Sequence, residues 1–189
     1  MESFDSKVAI VSGGAIGIGF EIASQLVERG AAVVLNDLDT SALQIATEKL
    51  GDRCVGLAGD SSDIGVIDAM VNKAVNEFGS VDLAVCNTGI TTFGSFHDYD
   101  PDDFDLLCRV NLKGTFFLVQ RASRQMMKQK SPGRIVLMSS VTGHLYHEDL
   151  HAYGITKAGI GFMAKSLGVE LAPHGITVNA ISPCATLTS

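Results

Sequence analysis

The sequence is short of basic charge, of cysteine and of long apolar runs, and each shortage removes a class of function. Lys and Arg total 14 against 21 Asp and Glu, a net charge of −7. Such a surface argues against non-specific binding to nucleic acid or to an anionic membrane. No apolar stretch approaches the ~20 residues that a membrane span needs. The opening residues, Met-Glu-Ser-Phe-Asp-Ser, lack the basic-then-apolar order of a secretory signal. The four cysteines (Cys54, Cys86, Cys108 and Cys184) show no paired metal-ligand spacing, and no metal site is expected. Cys54 and Cys86 fall in predicted core strands, where a free thiol acts as a small hydrophobe, and a reducing cytoplasm fits. Repeats, linkers and low-complexity segments are lacking too. What is abundant is apolar: 46% of residues are hydrophobic and 19% charged, which suits a well-buried sheet rather than disorder. The 189 residues fit one domain with a single sizeable core.

Apolar runs alternate with helical patterns. Strands are predicted near 7–12, 32–36, 54–58, 82–86, 134–139 and 176–181. Helices are predicted near 18–29, 41–50, 63–78, 102–130 and 152–172, with Pro101 and Ser131-Pro132-Gly133 bracketing the long middle one. Strands this apolar, joined by helices, imply an α/β fold: a Rossmann-like, doubly wound parallel sheet covered on both faces.

The first strand, Lys7 to Ser12, runs straight into Gly13, Gly14, Gly17 and Gly19, and an amphipathic stretch from Phe20 to Arg29 follows. Strand, glycine turn and helix is the context a phosphate-binding loop requires. The glycines allow a tight turn and close approach of backbone to a pyrophosphate, and the helix start supplies unpaired N–H groups. The second strand ends on Asp37, whose carboxylate can accept both hydroxyls of an adenosine ribose and would repel a 2′-phosphate. Neither the loop nor this strand end carries Arg or Lys, so NAD is favoured over NADP. Asp39 and Thr40 are better placed than Asp37 to cap the next helix.

Tyr153 and Lys157 lie one helical turn apart, with Ser140 upstream. A free phenol, with a pKa of about 10, exchanges protons poorly at neutral pH. An ammonium one turn away is expected to favour the phenolate, and reaching a pKa near 7 would take about 4 kcal/mol. Ser140 could hydrogen-bond the same substrate oxygen. Together they are equipment for moving a proton on or off an alcohol.

These residues resemble the short-chain dehydrogenase/reductase family along nearly the whole chain. Ser12-Gly13-Gly14-Ala15-Ile16-Gly17-Ile18-Gly19 is similar to the family's T-G-x-x-x-G-x-G. Cys86-Asn87-Thr88-Gly89 resembles its N-N-A-G segment, and Asn179-Ala180-Ile181-Ser182-Pro183 the stretch before its nicotinamide site. The resemblance implies that Tyr153 is the general acid or base, that Lys157 lowers its pKa and binds the nicotinamide ribose, and that Ser140 orients the carbonyl. It implies that Asn111 holds a water linking Lys157 to solvent. It implies that Asp60, with Ser61, meets the adenine, and that Ser12, Gly13, Gly17, Ile18, Gly19, Asp37, Asn87, Gly89, Pro183, Thr186 and Thr188 complete the NAD site. It also implies a homo-oligomer formed through the long middle helix and the Tyr153 helix.

Three departures accompany the resemblance. The chain stops at Ser189, before the family's substrate loop, last strand and last helix, so a fragment or truncated product with an open edge strand and no lid is expected. Cys184 stands where the family most often has glycine, and Cys86 and Thr88 depart within the N-N-A-G segment. His144, His147, Glu148, Asp149 and His151 make the segment before Tyr153 unusually polar. Their spacing matches no specific zinc pattern, so they are read as loop residues, some facing a polar, hydroxylated substrate. The leading reading is an NAD-dependent oxidoreductase acting on a secondary alcohol or its ketone. The alternatives are a 3-oxoacyl-[acyl-carrier-protein] reductase and a catalytically silent NAD-binding module.

Overall fold

The computed structural model describes residues 3–186. Six strands form one sheet in the order β3-β2-β1-β4-β5-β6, and every adjacent pair runs parallel. They are β1 (Val8–Ser12), β2 (Ala32–Asp37), β3 (Cys54–Ala58), β4 (Leu83–Cys86), β5 (Gly133–Met138) and β6 (Ile176–Ile181). Alternation along β1 divides the core in two. Val8 and Ile10 point to one face, packed with Ile67, Met70 and Ala74 of α3 (Ile64–Phe78), Leu118, Ala122 and Met126 of α5 (Thr115–Lys128), and Ile160 and Ala164 of α6 (His151–Leu171). Ala9 and Val11 point to the other, packed with Ala23 and Leu26 of α1 (Gly17–Glu28) and Leu43 and Ala46 of α2 (Thr40–Leu50). The doubly wound α/β sheet expected from the sequence is present.

Local chemistry sets the helix starts. Asp39 and Asp63 cap α2 and α3 by accepting from the first-turn N–H groups, so Asp37 is free of that duty. Asp100 caps α4 (Pro101–Leu107), with Pro101 in the first turn. The predicted middle helix is not continuous. A π-helical segment, Cys108–Gly114, separates α4 from α5. Such wide turns shift side-chain bearings and concentrate at functional sites.

The strand order reverses between β1 and β4. Ligands of open α/β sheets bind at that crevice, beyond the carboxyl ends of the strands. The ends of β1, β4 and β5 bring Ser12, Asn87 and Ser140 there.

Candidate active site

The glycine turn is built around backbone that side chains would obstruct. Gly13 and Gly17 have φ of +61° and +59°. A Cβ on Gly19 would lie 2.2 Å from the Gly13 carbonyl oxygen. Two residues pin the turn to β4. Asn87 Nδ2 donates to Gly13 O at 2.6 Å, and the Ser12 hydroxyl accepts from the N–H groups of Asn87 and Thr88 at 3.2 and 3.3 Å. α1 starts behind Ile16, whose side chain cannot cap, and its first turn holds no acid. The opening N–H groups at Gly17, Ile18 and Gly19 thus face a position that suits an anion.

Asp37 and Asp60 line one end of the crevice with Gly13, Asn36, Ser61 and Arg109. Asp37 accepts from Ala15 N at 3.0 Å and from Asp39 N at 3.1 Å, which fixes its carboxylate against the glycine turn. Asp60 accepts from the N–H and hydroxyl of Ser62 at 2.8 and 2.7 Å, and from Arg109 Nη1 at 2.6 Å. Burial pushes the Asp60 carboxyl up, but the Ser62 bonds and the Arg109 charge outweigh it and hold the group below the usual range.

Ser140, Tyr153 and Lys157 line the other end with Ile18, Asn87, Gly89 and Pro183. Glycines allow this convergence. A Cβ on Gly143 would lie 2.8 Å from the backbone of Lys157 and Ala158, and one on Gly154 would lie 2.9 Å from Thr142 O. The short turn after Ser140 therefore rests directly on α6. The Ser139 hydroxyl reinforces it by donating to Lys157 O at 2.8 Å.

The proton chemistry differs from the expected pattern. Burial pushes the Tyr153 phenol above its ordinary value, and the neighbouring Ser140 hydroxyl, which bonds Thr142, lowers it in part. Lys157 does not depress it in this geometry. Its Nζ stands over the Tyr153 ring, 5.5 Å from the centroid, and donates to Met138 O at 2.7 Å. Lys157 is only 3% exposed, and burial drops its amine to about 8.

Asn111 lies behind this end, wholly buried in the π-helical segment. Its amide accepts from Ile90 N at 2.9 Å and donates to Ile90 O at 3.0 Å and to Thr156 Oγ1 at 3.1 Å. Both amide hydrogens are thus used within the protein. Asn111 thereby ties the segment following β4 to α6. Gly89 leaves room between the two, since a Cβ there would lie 3.0 Å from Lys157 Nζ and 3.5 Å from Asn111 Oδ1.

A family model described as short chain dehydrogenase matches residues 7–189. The chain belongs to the short-chain dehydrogenase family. A short-chain dehydrogenase/reductase of Armillaria gallica is 37% identical, over 94% of this chain and 70% of that protein. An L-rhamnose 1-dehydrogenase (NAD(P)(+)) of Sphingomonas sp. (strain SKA58) is 35% identical, over 100% and 76%. In structure, the chain superposes with a TM-score of 0.95 on a 3-ketoacyl-(acyl-carrier-protein) reductase from Brucella melitensis complexed with NADH. That protein is 29% identical, with 98% of this chain and 78% of the other covered. This short-chain dehydrogenase is therefore an oxidoreductase of a family that works with a nicotinamide cofactor.

The remaining predicted residues of the dehydrogenase fall around this crevice or outside the described part. Pro183 accepts from Val141 N at 3.1 Å, and Thr186 Oγ1 donates to Cys184 O at 3.0 Å. Thr188 lies outside the described residues. His144, His147 and His151 line a neighbouring cavity of about 320 Å³ with Tyr146, and His147 and Leu150 also border the Tyr153 end. Among the described residues no group of three or more His, Cys, Asp or Glu could hold a metal ion. Cys54 and Cys86 are buried, and burial raises both thiols to about 12. No helix among the described residues is long and apolar enough to cross a membrane.

Sequence reasoning missed Arg109, Ser62 and Thr156. Each acts through a partner distant in the chain or through a turn, and only the Asp60 position hinted that something would have to hold its carboxylate.

Proposed function

We propose that the chain is an NAD(H)-dependent oxidoreductase of a secondary alcohol or its ketone. The observation that carries this is the single crevice in which Ser140, Tyr153 and Lys157 meet at one end and Asp37 and Asp60 at the other, joined by Asn87, Gly89 and Ile90. The residues fit a dinucleotide. The glycine turn leaves no room for a Cβ at Gly19, and the start of α1 is uncapped by any side chain. Gly17, Ile18 and Gly19 would hold the pyrophosphate, Ser12, Gly13 and Asn87 would shape the turn beneath it, and Ser61 would border the base. Gly89, Pro183 and Thr186 would border the nicotinamide. Asp37 would take the adenosine ribose. Among the described residues that line this end, the one cation, Arg109, is already paired with Asp60, so a 2′-phosphate would face the Asp37 carboxylate, and NAD is favoured over NADP. The nicotinamide, when bound, supplies or accepts the hydride.

Tyr153 is the proton donor to the carbonyl oxygen during reduction and the acceptor during oxidation. Burial keeps its phenol protonated at neutral pH, so the resting site is loaded for reduction. Ser140 orients the same oxygen. Lys157 would bind the nicotinamide ribose through its amine, and Asn111 fixes the Ile90 segment against α6. A fluorescence titration with NADH and NADPH, followed by turnover of an alcohol and ketone panel, tests the reading. NADH binds more tightly than NADPH, and Tyr153→Phe cuts kcat by about 10²–10⁴ with NADH affinity kept. Equal binding of both nucleotides, or a fully active Tyr153→Phe, overturns it. Tight NADH binding without turnover would leave the silent binding module instead.

A second reading, reduction of a 3-oxoacyl thioester, is favoured by the Brucella melitensis relative. That relative holds NADH, so nucleotide preference alone does not separate the two. The net charge of −7 opposes docking of an acidic carrier protein. Within the leading reading, the His144–His151 segment and the L-rhamnose relative point to a polar, hydroxylated substrate. Preference for long apolar alcohols in the panel would count against it. The four free thiols suit a cytoplasmic setting.

A further inference from the structure

Arg109 is a cation inside the nucleotide crevice that none of the family's motifs explains. It extends from the π-helical segment to the loop after β3, where Nη1 meets Asp60 Oδ2 at 2.6 Å and the Ser62 hydroxyl at 2.5 Å. Both ends of this contact are anchored. Asn36 Nδ2 donates to Leu57 O and Gly59 O at 2.9 and 3.0 Å, and Gly59 N donates to Asp37 O at 3.0 Å, so the backbone leading into Asp60 is fixed. Gly114, at the end of the π-helical segment, packs so closely that a Cβ would lie 2.9 Å from Ser61 O.

The acceptor count at Asp60 then becomes informative. A carboxylate has about four acceptor directions. The two Ser62 bonds occupy both directions of Oδ1, and Arg109 occupies one of Oδ2. One direction on Oδ2 is left open, on an ionised group bordering the same cavity as Asp37 and Ser61. With Asp37 facing the ribose, Asp60 borders the space beyond it, where the base would lie. A purine presents one exocyclic group there that separates adenine from its deaminated form. Adenine carries a 6-amino donor, and hypoxanthine carries a 6-oxo acceptor. Hypoxanthine's donor moves to ring N1, so a carboxylate fixed opposite position 6 bonds the amino group of the first and meets the oxygen of the second.

We propose that Arg109 is a positioning residue that holds Asp60 in the one orientation able to accept the adenine amino group. The crevice thereby selects the base of its nucleotide as well as the ribose. The proposal rests on the reading of this crevice as the NAD site. An ion pair at half-exposed side chains adds little to stability by itself, so a purely structural role would leave base discrimination untouched.

The test is a fluorescence titration of the full chain with NADH and with reduced nicotinamide hypoxanthine dinucleotide, for the wild type, Arg109→Met and Arg109→Lys. The wild type is expected to bind NADH about tenfold more tightly than the hypoxanthine analogue. In Arg109→Met the NADH Kd rises about five- to tenfold and the analogue's less than twofold, so the ratio collapses, while Arg109→Lys keeps part of it. Thermal melts of the three proteins check that each is folded. Failure of the wild type to bind either nucleotide would overturn the NAD reading and this proposal together. Binding of NADH with an Arg109→Met ratio equal to that of the wild type would overturn the positioning role alone.

Discussion

At the level of single residues, Lys157 carries the largest electrostatic cost in the crevice. Its amine falls from the ordinary 10.5 to about 8 because burial penalises the charged form. Between those values the unfolded chain binds a proton that the folded chain does not. Stability contributed by this residue therefore rises with pH across that window, by at most about 3 kcal/mol. Cys54 and Cys86, raised to about 12, pull the other way above their ordinary 9.0. Urea denaturation of the wild type against Lys157→Met, from pH 7 to 10, separates the two. The wild type gains stability relative to the variant as pH rises, and parallel curves would refute the assigned burial cost. Thr88 offers a second test. Its hydroxyl is buried without a hydrogen-bond partner in the structure. Thr88→Val keeps the shape and removes the stranded group, and is expected to stabilise by about 1–3 kcal/mol, read as a Tm increase of several degrees. A lower Tm would mean that the hydroxyl is satisfied. At this scale the sequence made Ser140, Tyr153, Lys157 and the glycines legible, because their chemistry is written in residue type and local spacing. Arg109, and the bonds that engage Asn111, were not legible, because their partners are set by the packing of distant segments.

Among the elements, helix and strand identities followed from apolar periodicity, and their ends shifted by a residue or two, within the ordinary fraying of helix and strand ends. The π-helical segment was invisible, since Cys108–Gly114 has a composition that an α-helix would accept equally well. What selects the wider turn is tertiary. Asn111 bonds Ile90 in the segment after β4 and Thr156 in α6, and Gly114 seats against Ser61 O. The turn after β5 shows the same dependence on close backbone approach. Gly143→Ala would force its Cβ into the Lys157–Ala158 backbone at 2.8 Å, so the Ser140 turn must lift from α6. Displacing Ser140 from Tyr153 by about 1 Å is expected to cost about 10²-fold in kcat/KM. The glycine turn and Asp37 lie on other elements, so NADH affinity should stay within about twofold of the wild type by fluorescence, which a general loss of fold would not permit. Wild-type turnover in Gly143→Ala would show that this contact does not set the catalytic geometry.

For the whole molecule, the reversal of strand order at β1 and β4 decides where chemistry can occur, and the glycine turn after β1 was its trace in the sequence. The outer surface holds the remaining feature of consequence. α6 is apolar on both sides. Ile160 and Ala164 face the sheet, while Ile155, Phe162 and Val169 recur at heptad spacing on the opposite side, 58%, 71% and 79% exposed. A helix with a second apolar stripe has a second surface to cover. Phe116 of α5 is exposed as well, at 42%. These exposed side chains suit the homo-oligomer that the family resemblance implies, formed through the long middle helix and the Tyr153 helix. The expected outcome is a dimer or larger species for the wild type at micromolar concentration by light scattering. Phe162→Glu places a charge in the middle of that stripe and should shift the population to monomer, with loss of the concentration dependence of Tm. Phe162 faces away from the sheet, so the monomer should keep its helical circular dichroism. It should also still bind NADH, because the nucleotide crevice lies at the strand ends rather than on this helix face. A monomeric wild type, or a Phe162→Glu variant that stays associated, would exclude this stripe as the contact.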